Sequence, residues 1–345
     1  MARTAIRGIP NPMKRKVVHL TVWHGPGSLE HFYHFLLGCF VPLAYHLTVK
    51  WARADFDRLI LRSCGPLDRI IREFGDRRVR PMGKRHYREI AERCGAGANG
   101  SPASIDLEFA AIRGGDYPAD FSYRIFSKVR EHFLSRPDVR SERSALERIW
   151  PGGHGRILLI ERAASPAFYH SEKSENKGSG AERRSIANHD ELYQMLQHRF
   201  GGCLNVRTEA MTLARQVALF SLADIIVAQH GAALANIVWS KTTVSVIEIF
   251  PITQRIEVKD MDPFRHLSRC MGVRFYRAPQ ENDHATIDIG RIVDLVDASS
   301  RSGGSHSIEA FFRRMSFEVF RTSKRIRRAL RKRLGMRGFY DLRPN

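Results

Sequence analysis

The sequence predicts an α/β protein with two Rossmann-like domains that face each other across a cleft. Apolar strands alternate with helical patterns over 156–250, which indicates a parallel sheet covered by helices on both faces. The length of 345 residues favours two domains over one. A cluster of Pro and Gly at 150–155 indicates the boundary between them. We therefore expect an N-terminal Rossmann-like domain over 1–150 on the acceptor side of the cleft, a second Rossmann-like domain that binds the ligand over 151–305, and a basic C-terminal helix and tail over 306–345.

The second half of the chain has the clearer alternation, because its strands read as continuous apolar runs. The elements expected there are strands over 156–161, 203–206, 224–228 and 244–250 and helices over 189–199, 211–221 and 232–239. Residues 164–181 are rich in Ser, Lys, Glu and Gly, and we expect them to form a mobile loop that acts as a lid.

In the first half of the chain, the sequence predicts fewer strands and helices than in the second. They are strands over 17–23, 56–61 and 104–109 and a helix over 120–134. After the first strand, Gly25 to Gly27 predict a turn, and Ser28 is expected to cap a helix that begins near Leu29.

Three features predict a cytoplasmic protein. The apolar run over 32–47 contains two histidines and a proline, so we expect it to be too short and too polar to cross a bilayer. The first eleven residues are basic and broken by Pro10, unlike a signal peptide. The five scattered cysteines form no Cys-x-x-Cys pair, which favours a reducing compartment and argues against a structural zinc site.

The positive charge is large and uneven. Residues 311–345 contain ten Arg and two Lys against two acidic residues, so this tenth of the chain carries +10 of the total +20. Apolar residues from Phe312 to Leu334 recur at three- and four-residue spacing, which indicates a basic amphipathic helix. Such a helix either docks across the two domains or lies peripherally on an anionic membrane surface. Nucleic acid is the least favoured partner, because no recognition motif accompanies the charge.

The stretch 224–251 indicates a phosphate site. A buried strand is followed by a turn at His230 and Gly231 and by a helix that opens on Ala232 and Ala233. A strand that turns through Gly into a helix N-terminus directs backbone N–H groups and a positive dipole end at one point. Gly231 would allow either a close approach of another group or a positive φ.

Several polar side chains accompany this turn. Arg162 ends a strand at the carboxyl edge, where open α/β sheets bind ligands, and its planar fork suits a phosphate. Arg184 follows the predicted lid beside Arg183; a solvated basic pair is the alternative. Asn236 lies on the helix after the turn. Glu248 stands within an apolar strand and needs a partner there, either ribose hydroxyls or a nearby Arg.

These pieces occur in the order typical of one enzyme family. They are ILLIER at 157–162, RRSIANHDEL at 183–192, the helix at 211–223, HGAALAN at 230–236 with VIEIF at 246–250, and HFYHF at 31–35 near the N-terminus. Together they resemble glycosyltransferase family 61.

The resemblance implies a GT-B architecture and an inverting transfer without metal or other cofactor. The donor would be UDP-N-acetylglucosamine or a UDP-pentose such as UDP-xylose, and the acceptor a hydroxyl of a glycan or lipid-linked saccharide. The donor-binding residues would be Arg162, Arg184, His230, Gly231, Ala232, Ala233, Asn236 and Glu248.

The catalytic base is expected on the first helix. First helices of the family often carry an acidic residue at the position where this chain has Gly38, so that acidic residue is absent here. His34 is therefore the predicted base, since imidazole accepts a proton near neutral pH. Glu30, one turn earlier, would orient or replace it, and His31 is a third option. The missing acid leaves a non-catalytic, scaffolding family member as the alternative function, ahead of a nucleic-acid-binding protein.

Overall fold

The computed structural model describes residues 17–22, 29–50, 58–95, 103–107, 119–150, 155–175, 178–253 and 262–301. The turn predicted at Gly25 to Gly27, the Ser28 cap and the basic segment 306–345 lie outside these residues.

The first half forms a four-stranded parallel sheet. Its strands are β1 (Val17–Val22), β2 (Arg58–Arg62), β3 (Val79–Met82) and β4 (Ala103–Leu107), in the order β3-β2-β1-β4. The helices between and after them are Phe32–Phe35 (α1), Val41–Tyr45 (α2), Asp68–Phe74 (α3), Lys84–Gly95 (α4), Ala119–Ser135 (α5) and Pro137–Ile149 (α6). The predicted strands and helix of this half are present with ends shifted by one to two residues, whereas β3, α3, α4 and α6 were not predicted.

The second half forms a five-stranded parallel sheet. Its strands are β5 (Ile157–Ile160), β6 (Cys203–Val206), β7 (Ile225–Gln229), β8 (Ser245–Pro251) and β9 (Arg274–Gln280), in the order β6-β5-β7-β8-β9. Its helices are Gly180–Arg183 (α7), His189–Phe200 (α8), Leu213–Leu222 (α9), Pro263–Met271 (α10) and Ile289–Arg301 (α11). The expectation of an α/β protein with parallel sheets is confirmed.

Local chemistry explains several boundaries in this half. Residues of β5, β7 and β8 are buried throughout, as expected for strands covered on both faces. Thr212 caps α9 by accepting a hydrogen bond from the backbone N–H of Arg215. Gly201 ends α8 in the left-handed conformation, which glycine adopts without steric cost. The helix predicted over 232–239 is present as Ala232–Trp239 and is a 3₁₀-helix.

Among the described residues, one helix, Phe32–Val49, is both long and strongly apolar. It alternates α-helical turns with π-helical turns at Leu36–Phe40 and His46–Lys50. By length and mean hydropathy (1.4) this helix could cross a membrane, contrary to the expectation, although 67% of it is buried inside the fold. It begins at Phe32 rather than near Leu29, so Glu30 precedes the helix instead of lying in its first turn.

One hydrophobic cluster contains residues from both halves. Phe133 of α5 packs against Trp239, with ring centroids 5.1 Å apart, and Tyr33 of α1 packs against Phe264 of α10 at 5.5 Å. Trp150 donates a hydrogen bond from Nε1 to the carbonyl of Gly202 across the predicted boundary (2.7 Å). This packing fixes the start of α1 opposite the carboxyl edge of the second sheet.

Candidate active site

A cavity of about 630 Å³ lies between the start of α1 and the carboxyl ends of β5 and β7. Its walls include most of the residues singled out from the sequence, namely Glu30, His31, His34, Arg162, Arg183, Arg184, His230, Gly231, Ala232 and Ala233. Parallel pairing of β5 with β7, and of β7 with β8, brings the ends of these strands to one edge. The cavity therefore occupies the position where open α/β sheets bind ligands.

Arg162 follows β5 and covers the turn after β7. Its Nη2 donates to the carbonyl of His230 at 2.5 Å, and its Nη1 lies 3.4 Å from the carbonyl of Gly180. A Cβ atom built on Gly231 would lie 2.0 Å from this Nη2 and 2.9 Å from Cζ. The backbone of Gly231 is extended (φ 174°), so glycine is required here for the close approach of Arg162 and not for a special backbone conformation.

Two further arginines, Arg183 and Arg184, line the same cavity as Arg162. The Arg184 side chain is buried. Its Nε donates a hydrogen bond to Asp283 Oδ1 at 2.9 Å, and its Nη1 lies 3.3 Å from the carbonyl oxygen of His230. Burial first, and then the charge of Arg184, lower the pKa of the Arg162 guanidinium from 12.5 to about 10. The three charges thus create a positive potential that suits a diphosphate.

His230 is held by a chain of charged groups behind the cavity wall. Its Nδ1 lies 2.7 Å from Glu248 Oε1, and the other carboxylate oxygen accepts a 2.7 Å hydrogen bond from Arg277 Nε. Arg277 also bonds Asp262 Oδ2 at 2.5 Å and stacks over Phe250. Glu248 is fully buried and does not line the cavity, so of its two expected roles the geometry supports the local ion pair.

Asn236 likewise lies behind the wall. It is fully buried, and its amide nitrogen lies 3.2 Å from both Gln216 Oε1 and the carbonyl of Ala233. Its oxygen accepts a hydrogen bond from Trp239 Nε1 at 3.0 Å. These contacts hold the 3₁₀-helix that carries Ala232 and Ala233, so the structure gives Asn236 a supporting position and not a place on the cavity surface.

Glu30 lies at the opposite wall, but its carboxylate is engaged. It forms an ion pair with Lys84 (2.8 Å) and accepts hydrogen bonds from the backbone N–H of Glu175 (2.6 Å) and the hydroxyl of Ser174 (3.2 Å). The hydroxyl of Tyr169 bonds the carbonyl of Glu30 at 2.9 Å. Glu30 therefore attaches the predicted lid, 164–181, to the first half of the chain.

The two histidines at the start of α1 face the cavity together. The rings of His31 and His34 lie 5.2 Å apart, and both residues line the cavity. Burial, His34 and then the three arginines lower the pKa of His31 to about 4, so this ring is neutral at pH 7. Gly38 is buried in the first π-helical turn and is not among the cavity residues.

Other cavity residues were not recognised from the sequence. They include Tyr169, Thr208, Glu209, Gln229 and Phe264. Gln229 directly precedes the predicted turn and could have been found from its place at a strand end. The contribution of Phe264 depends on the packing of α10 against α1, which no local pattern records.

The comparison with family models decides the assignment. The model of glycosyltransferase 61 matches residues 32–247, well over half of the chain. The chain belongs to glycosyltransferase family 61. The match includes the Arg162, Arg184 and His230–Gly231 positions of this family member and ends just before Glu248. No match was found among curated proteins.

Across the parts of the chain that the structure describes, no three or more His, Cys, Asp or Glu side chains are grouped so that they could hold a metal ion.

Proposed function

We propose that the protein is an inverting, metal-independent glycosyltransferase of GT-B architecture. It would move N-acetylglucosamine or a pentose such as xylose from a UDP-sugar to a hydroxyl of a glycan or lipid-linked saccharide. The observation that carries this proposal is the cluster of Arg162, Arg183 and Arg184, which line one cavity beside the glycine turn of a family 61 chain.

The cluster supplies what departure of a nucleoside diphosphate requires. The leaving group gains negative charge as the bond to the anomeric carbon breaks, and fixed cations in a buried site stabilise that charge. Arg162 and Arg184 are held in place by the His230 carbonyl before any ligand binds, so little reorganisation is needed. The backbone at Gly231 and Ala232 lies beside them at the start of the 3₁₀-helix.

The acceptor side is formed by the start of α1. The assignment of the base to His34 stays a prediction, supported by its place on the cavity wall. Glu30 is a weaker candidate than the sequence indicated, because Lys84 and the N–H of Glu175 already engage its carboxylate.

A direct test is turnover of a panel of UDP-sugars with soluble saccharide acceptors in the presence of EDTA. We expect UDP release and a product whose anomeric configuration, measured by NMR, is opposite to that of the donor. A retained configuration, or activity only after addition of Mn²⁺, would contradict the mechanism. UDP binding without turnover on any acceptor would support the scaffolding alternative.

Association with a membrane is a separate part of the proposal and rests on the basic segment 306–345. Each Lys or Arg near an anionic surface adds about 1 kcal/mol of attraction. Removal of residues after Arg321 should release the protein from vesicles that contain phosphatidylserine and leave UDP binding unchanged. Unchanged vesicle binding by the shortened chain would contradict this part, and DNA binding by the full chain without UDP binding would favour the nucleic-acid alternative.

A further inference from the structure

The side chain of His230 has an arrangement that contact with a phosphate does not require. Its backbone carbonyl accepts hydrogen bonds from Arg162 and Arg184, whereas its ring lies against Phe250 and Phe264, at centroid distances of 5.0 and 5.3 Å. The ring is therefore fixed by side chains other than the arginines of the diphosphate site.

The position of Phe264 shows which side of the cavity the ring occupies. Phe264 lines the cavity and packs against Tyr33 of α1, whose own ring lies 5.4 Å from that of His34. His230 thus stands where the second sheet meets the start of α1. Under the proposed function, the acceptor hydroxyl would approach the donor sugar at this place.

The contacts of the ring determine which nitrogen can act. Glu248 is fully buried, and Arg277 occupies its second oxygen with a 2.7 Å hydrogen bond. A carboxylate accepts hydrogen bonds, so the 2.7 Å contact with Glu248 requires a proton on Nδ1 of the His230 ring. The other nitrogen, Nε2, then keeps a lone pair. A histidine oriented by a buried carboxylate in this way is the usual arrangement of a general base.

We propose that His230, positioned by Glu248 and Arg277, is the general base of the transfer. This inference rests on the proposed glycosyltransferase function. Nε2 accepts the proton of the acceptor hydroxyl as the hydroxyl oxygen bonds to the anomeric carbon of the donor. The bond from that carbon to the diphosphate breaks, and its electron pair leaves on the diphosphate oxygen. The imidazolium formed at His230 is stabilised by the Glu248 carboxylate and later returns its proton to water.

The residues at the opposite wall are less suited to this step. Glu30 is engaged by Lys84 and the lid, and the pKa of His31 is about 4, which makes it a weak proton acceptor. His34 is the direct competitor, and the experiment must distinguish the two histidines.

The first measurement compares His230→Gln with His34→Gln. UDP affinity is measured by calorimetry, and turnover as UDP release from UDP-N-acetylglucosamine or UDP-xylose with water or a saccharide as acceptor. We expect His230→Gln to lower turnover by about 10²- to 10⁴-fold, the usual effect of a lost general base, and to change UDP affinity by less than about threefold. Loss of turnover in His34→Gln alone would overturn the proposal. A parallel loss of UDP affinity in His230→Gln would also overturn it, since that result identifies a phosphate ligand.

The second measurement does not depend on turnover or on the folding of a variant. In the wild-type protein labelled with ¹⁵N-histidine, we expect His230 to carry its proton on Nδ1 and to keep this state when UDP saturates the protein. A proton on Nε2, or a shift of the Nε2 resonance on UDP binding, would contradict the proposal. Wild-type protein that binds no UDP would instead refute the proposed function, and the two failures are therefore distinguishable.

Discussion

Replacement of Arg162 by Met should separate ligand binding from stability. In the free protein this guanidinium is a destabilising charge, because burial and Arg184 lower its pKa from 12.5 to about 10. Each pKa unit corresponds to roughly 1.4 kcal/mol, so the cost of the charge is on the order of 3 kcal/mol. The sign follows from linkage: a cation with a lowered pKa in the folded state costs stability at every pH below that pKa, including pH 7.

The contacts of Arg162 offset much of this cost. Its hydrogen bond to the carbonyl of His230 is charge-assisted and contributes about 1.5–3 kcal/mol. The Met variant loses both the cost and the bond. We therefore expect its unfolding temperature to change by only a few degrees in either direction.

UDP binding should respond very differently. A lost charge-assisted contact to the diphosphate weakens binding by roughly 1.5–3 kcal/mol, or about 10- to 150-fold in Kd. Scanning calorimetry gives the stability and titration calorimetry gives the affinity. The matched control is Arg207→Met, because Arg207 follows the adjacent strand β6, pairs with Glu161 and does not line the cavity. A UDP affinity in Arg162→Met within twofold of that in the control would refute this reasoning.

Three further outcomes are expected. Gly231→Ala should weaken UDP binding about as much as Arg162→Met, because the new Cβ displaces the Arg162 guanidinium. The double variant should then bind UDP about as weakly as either single variant, and additive losses of affinity in calorimetry would contradict this. The folded state opposes protonation of His31, so denaturant titrations should show the free energy of unfolding falling as the pH drops from about 6.5 towards 4. His31→Gln should reduce this fall, and the same pH dependence of stability in both proteins would contradict the prediction. Glu30→Gln should accelerate amide hydrogen exchange across 167–175, and unchanged exchange there would show that the carboxylate does not hold the lid.

The sequence was sufficient to predict which strand ends meet. Continuous apolar runs specify β5, β7 and β8, and parallel pairing places Arg162 and the His230–Gly231 turn at one edge. The turn glycine was also recognised, although only the structure shows that the group approaching it is the Arg162 side chain rather than a ligand alone.

The contacts of the charged side chains were not predictable, because they depend on distant partners. Glu248 pairs with Arg277, 29 residues later, and Glu30 bonds the backbone of Glu175, 145 residues later. No local pattern encodes such separations. The start of the first helix was misplaced for a different reason: it was predicted from Ser28 as a cap, whereas the helix begins at Phe32.

The central claim is that the arginine-lined cavity binds UDP without a metal. It is tested most directly by titration calorimetry of the full-length protein with UDP, ADP and GDP in EDTA. We predict a single site that binds UDP more tightly than ADP or GDP, with the affinity unchanged when Mn²⁺ replaces EDTA. Equal affinity for the three nucleotides, or no binding of UDP until Mn²⁺ is added, would contradict the account.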